Sequence, residues 1–116
     1  MELLTKAIAF ASRPRRLARV DIPHWNSYVF VRSLTAKERD DFDVANSEAQ
    51  AKGQLSNITA RYAVLCACGP DGKPVFDPDD ARQLGDQDGL AVEIIAAAAK
   101  THNSAGQAGA DAAEKN

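Results

Sequence analysis

Leu17-Ala18-Arg19-Val20-Asp21-Ile22-Pro23-His24-Trp25-Asn26-Ser27-Tyr28-Val29-Phe30-Val31-Arg32 is the stretch on which the fold turns. Val20 and Ile22 alternate with charged neighbours, Trp25-Asn26-Ser27 has the composition of a turn, and Tyr28 to Val31 are all β-branched or aromatic. That pattern predicts a β-hairpin. Side chains in a strand alternate between faces, so Val20, Ile22, Val29 and Val31 share a face turned to a core. Tyr28 and Phe30 then lie on the opposite face, where something else must cover them, which makes them a candidate contact surface.

Downstream of the hairpin the period changes from two to that of helices. Thr35-Ala36-Lys37-Glu38 forms a capping box that starts a helix at Ala36, with Phe42, Ala45 and Ala49 as a narrow apolar stripe that fades by Gly53. A second helix is expected from about Asn57 to Cys68, stopped by Gly69-Pro70, with Ile58, Tyr62 and Leu65 on its core face and Val64 beside them. Asp77-Pro78 restarts a short helix that Gly85 ends, and a last helix from about Asp88 to Thr101 carries Leu90, Ile94, Ala97 and Ala98 on one side. Upstream, Leu3, Leu4, Ala7, Ile8 and Ala11 recur at helical spacing before Pro14 sets a boundary. Ser104 to Asn116 holds no large apolar residue and is expected to be mobile. The expected fold class is α+β: an N-terminal β-hairpin packed on a small bundle of three to four helices, with a disordered C-terminal tail. Residues 1–16 read as an N-terminal helix and basic linker, 17–103 as one globular domain, and 104–116 as the flexible tail.

At 116 residues, 45% of them hydrophobic and 26% charged, the chain is long enough for one core and too short for two. The formal charge of -2 hides an asymmetry: residues 1–32 carry a surplus of four positive charges and the remainder a surplus of six negative ones. The apolar start precedes its arginines, which is the wrong order for a secretory signal, and Leu90 to Ala99 is too short and is interrupted by Glu93, so no membrane span is expected. Cys66 and Cys68, one residue apart in a predicted helix, point to different sides and suit neither a mutual disulfide nor a paired chelate; a reducing cytoplasm fits them.

Catalysis needs groups that can converge, and His24 and His102 have no recognisable partners. With Cys66 and Cys68 the two histidines make four zinc ligands in number but not in spacing, and buried thiols are the simpler reading. Asp71, Asp77, Asp79 and Asp80 lack the glycine and terminal glutamate of a calcium loop and read as turn and cap residues. No catalytic, metal-binding or cofactor-binding residue is therefore expected. The cluster Arg13, Arg15, Arg16 and Arg19 has no interleaved aromatics to mark a nucleic-acid site and reads as a solvated linker or a dock for an acidic protein. Trp25 reads equally as an interface anchor or as the closure of a small core.

Pro23-His24-Trp25 before the turn, Val29-Phe30-Val31-Arg32-Ser33-Leu34-Thr35 at the strand exit and Glu38-Arg39-Asp40-Asp41-Phe42 on the first helix together resemble the siphovirus-type tail assembly chaperones of long-tailed bacteriophages. Ala60-Arg61, Leu65-Cys66, Asp71-Gly72-Lys73, Phe76, Asp80 and Leu84-Gly85 follow in the same order, so the resemblance spans about residues 20–100. Gly69-Pro70, where an acidic pair is more usual, and the alanine-rich last helix depart from the pattern. The resemblance implies a non-enzymatic factor of the host bacterial cytoplasm. Such a factor holds the tape measure protein soluble, recruits tail tube subunits and is not retained in the mature virion. The aromatic hairpin, taken together with this resemblance, makes Trp25, Tyr28 and Phe30 the first candidates for partner-binding residues. It also implies a longer frameshifted product, to which Glu114-Lys115-Asn116 is suited because GAA AAA AAC contains the slippery string A AAA AAC. A virion connector or tail component, and a small DNA-binding regulator using the basic front, are the alternatives from other classes.

Overall fold

The computed structural model describes residues 1–104, and the expected tail beyond Ser104 lies outside them. The predicted α+β class is what the chain adopts. Helix α1 (Lys6–Phe10) precedes strands β1 (Leu17–Ile22) and β2 (Ser27–Arg32), followed by α2 (Ala36–Ala51), α3 (Ile58–Cys66), a short strand β3 (Ala67–Cys68), α4 (Ala81–Leu84) and α5 (Gly89–Asn103). The hairpin register pairs Val20 with Val29 and Ala18 with Val31. A one-turn 3-10 helix at Pro23–Trp25 closes it, with Asn26 at φ 47°, a left-handed conformation that asparagine tolerates.

The sheet has a third member that periodicity did not foresee. The predicted helix to Cys68 ends at Cys66, and Ala67 and Cys68 pair antiparallel with Val31 and Phe30, giving the order β1-β2-β3. Gly69-Pro70 therefore follows a strand, and Gly72 at φ 83° makes the turn that returns Pro74 beside Cys68. Both cysteines are buried and free.

The inner face of the sheet follows the alternation: Val20, Ile22 and Val31 are buried, and Val29 is packed at the edge of the core. What they pack on corrects the predicted helix faces. On α5 the buried residues are Ala91, Val92, Ile95, Ala96 and Ala99, whereas Leu90 is 61% exposed and Ala97 faces water. On α3 they are Ala60, Ala63, Val64 and Cys66, with Ile58 exposed and Tyr62 and Leu65 half-buried. Most of these buried side chains are small, and small side chains allow packed helices a close approach. Polar ties at the end of α5 set its rotation. The Asn103 side chain accepts from Leu34 N–H at 2.8 Å and donates to the Ala99 carbonyl at 2.9 Å and to the Arg32 carbonyl at 3.3 Å.

Helix α2 begins at Ala36 as expected, with both bonds of the Thr35–Glu38 capping box in place. It buries no residue completely; Glu38, Phe42, Asn46 and Ala49 form its half-buried stripe, so Asn46 stands where Ala45 was expected. Asp77 and Asp80 cap the 3-10 turn that leads into α4. Among the described residues no helix is long and apolar enough to cross a membrane.

Candidate functional site

Strand β2 brings Tyr28, Phe30 and Arg32 to the outer face of the sheet, because its alternate residues Val29 and Val31 point inward. Tyr28 and Phe30 meet edge to face with ring centroids 6.2 Å apart. The Arg19 guanidinium, on the neighbouring strand, lies over the Tyr28 ring at 3.9 Å from its centroid and is itself held by Asp21 at 3.0 Å. Tyr28 is 56% exposed, and Phe30 is half-buried where it flanks Cys68 across the β2–β3 pair. The two aromatics thus form a rigid, solvent-facing pair with a cation at one edge, suited to holding an apolar side chain against a flat surface.

Trp25 is not part of that pair. It sits in the 3-10 turn at the end of the hairpin, half-buried and packed against the core. Of the three residues named from the sequence, the structure brings Tyr28 and Phe30 together on the outer face and places Trp25 in the turn at the end of the hairpin.

Arg32 continues the outer face into an open groove of about 390 Å³ between α2, α3 and the segment before α4, with Phe42, Val64, Leu65, Pro74 and Phe76 among its lining. Arg32 itself is spoken for. Its guanidinium donates twice to the Leu65 carbonyl, at 3.1 and 3.0 Å, and approaches Glu38 at 3.6 Å. Glu38 also takes Arg15 at 2.7 Å and the Thr35 amide at 2.9 Å. Partial burial works against the Glu38 charge, but the bonds from Arg15 and Thr35 outweigh it and hold the carboxyl below the usual range. Nothing local in the sequence signals this groove, since its walls come from three separated segments.

The arginine-rich approach has structural employment throughout. Arg13 donates to the Ile8 and Ala11 carbonyls, Arg15 binds Glu38, Arg16 reaches the His102 carbonyl, and Arg19 covers Tyr28. The histidines are likewise engaged singly, His24 near Asp88 at 3.5 Å and His102 with the Arg16 carbonyl at 2.9 Å. Burial pushes the Cys66 thiol up to about 11 and raises Cys68 as well, so both stay protonated and unreactive near neutral pH.

No family model matches the chain, and no curated protein does. Among solved structures, that of the bacteriophage HK97 tail assembly chaperone is similar, with a TM-score of 0.55 and 19% sequence identity. The chain has a tail assembly chaperone-like fold. The match covers 82% of this chain and 89% of that one, so it takes in most of the domain rather than a shared hairpin.

Proposed function

We propose that this protein is a non-enzymatic tail assembly chaperone of a bacteriophage. It binds amphipathic helical segments of the tape measure protein on the outer face of the sheet and keeps that protein soluble in the host cytoplasm. It presents the tape measure protein to tail tube subunits and leaves before the virion is complete. A longer product made by a frameshift near the end of the chain supplies the contact to the tube. The observation that carries the reading is the whole-domain likeness to the HK97 chaperone. The Tyr28 and Phe30 pair, the first exposed and the second half-buried, gives the binding face a physical basis, since an aromatic side chain loses little entropy on contact. Trp25, half-buried in the hairpin turn, is the third candidate contact residue.

Co-expression with the tape measure protein encoded by the same genome tests the reading. The partner should move from the insoluble to the soluble fraction with the intact chaperone, and Phe30→Asp should abolish the effect while the variant itself remains folded. A tape measure protein that stays insoluble beside the intact chain, or the chain's recovery in purified virions, contradicts it. The latter result would favour a connector.

A further inference from the structure

Helix α2 is held to the body more lightly than α3 or α5. It buries no residue completely, and none of its apolar residues belongs to the core or to the side chains packed against it. Among the described residues, every hydrogen bond or ion pair from α2 to another element is made by Glu38, which takes Arg15 at 2.7 Å and Arg32 at 3.6 Å. The other tie is Phe42, whose ring centroid lies 5.3 Å from that of Tyr62 and under the Arg61 guanidinium. Farther along, the Asn46 side-chain oxygen is shielded from water and has no hydrogen-bond partner, which works against the packed position.

The segment is pinned at both ends. Just before α2 the Leu34 amide donates to Asn103 at 2.8 Å. After it, Asn57 opens α3 with its side chain seated on Gly85, where an added Cβ would come within 2.6 Å of it. Between these points Gly53, at φ 68°, turns the chain out of the helix. What keeps α2 helical is local: the Thr35–Glu38 capping box and the Lys37–Asp41 pair at 2.7 Å. Such local support leaves an isolated helix of 16 residues marginal, so α2 frays once it leaves the body.

We infer that α2 is a hinged flap that opens as a unit between Leu34 and Asn57, with the Glu38–Arg15 pair as its latch, while the sheet, α3 and α5 stay folded. The groove lies along this seam: Glu38, Asp41 and Phe42 line it from the flap, and Arg61, Val64 and Leu65 line it from α3. Opening bares Tyr62 and widens the groove along Val64 and Leu65, so the flap gates an apolar face of α3. This inference concerns the chain alone and stands apart from the tape measure reading.

Amide hydrogen exchange of the purified full chain, read by mass spectrometry, is the test. Amides of α2 should be protected at least about tenfold less than those of α3 and α5. Glu38→Gln keeps a side chain that completes the capping box but loses the charge pairing, and it should speed α2 exchange by about threefold or more. Arg15→Gln should act in the same direction, with the double variant adding less than the two single effects together. Ala99→Leu overpacks a fully buried position on α5. It should speed α5 exchange by about tenfold and leave α2 exchange unchanged, because the contacts it disturbs persist when the flap opens. Protection in α2 equal to that in α5 overturns the inference. So does Glu38→Gln with unchanged α2 exchange, or Ala99→Leu speeding α2 as much as α5. If Ala99→Leu fails to fold, the intact chain and Glu38→Gln still decide the question.

Discussion

Ala97 and Ala99 sit two residues apart on α5, and the structure assigns them opposite fates: Ala97 is exposed and Ala99 has no exposed surface at all. Replacing each with leucine adds the same atoms at the same helix propensity, because alanine and leucine are both strong helix formers. At Ala99 the added side chain must displace neighbours in the close contact with α3 and the sheet, and overpacking of this kind costs about 1–3 kcal/mol. For a domain near this size that lowers the melting temperature by roughly 4–20 °C. At Ala97 it meets water, and the change should stay within about 0.5 kcal/mol. Paired thermal melts followed by circular dichroism read the difference directly. Equal melting temperatures, or a larger loss for Ala97→Leu, would refute the assignment of the buried face and restore the Leu90, Ile94, Ala97 and Ala98 stripe.

Asn103→Ala removes three bonds at once and leaves the Leu34 amide without its partner, so a loss of about 1–3 kcal/mol is expected in urea titrations; an unchanged midpoint would show that the tie does not hold α5. Glu38 has a carboxyl held below its ordinary value of 4.5, so it contributes stability above that value, and this is lost as pH falls through its folded-state value. Glu38→Gln should therefore lower stability at neutral pH and flatten the decline on the acid side; parallel pH profiles for the two proteins would contradict this. Cys66 and Cys68, buried and protonated, should react with a thiol reagent only after denaturant is added, and rapid labelling of the native protein would show that the β3 region opens.

The hairpin, the capping box and the broad class were legible because they depend on neighbours in sequence: alternation at Val20, Ile22, Val29 and Val31, and the Thr35–Glu38 spacing. The helix faces were legible only in part: Tyr62, Val64, Leu65, Ile94 and Ala98 pack in or against the core, whereas Ile58, Leu90 and Ala97 are exposed. A periodicity argument weights large apolar residues, so it selected Leu90 and Ile58, whereas many of the buried positions on α3 and α5 are small: Ala60, Ala63, Ala91, Ala96 and Ala99. Strand β3 was hidden for a related reason. Ala67 and Cys68 have no strand signature of their own and become a strand only because the exposed edge of β2 offers them partners. At the candidate site, Tyr28 and Phe30 could be placed together from strand alternation alone, while Trp25 could not be divided between surface and core without knowing how the turn packs on the core. The groove draws Phe42, Leu65 and Phe76 from three segments, a long-range arrangement beyond any local pattern.

The most direct test of the central claim is calorimetric titration of the purified chain with a soluble helical fragment of the tape measure protein, repeated with Tyr28→Asp. Tyr28 is exposed, so the variant should keep the melting temperature of the intact protein. The account predicts saturable binding by the intact chain and a loss of at least about tenfold in affinity for the variant, the order expected when a central aromatic contact is removed. No binding by the intact chain to any part of the tape measure protein, or equal affinity in the variant, contradicts it.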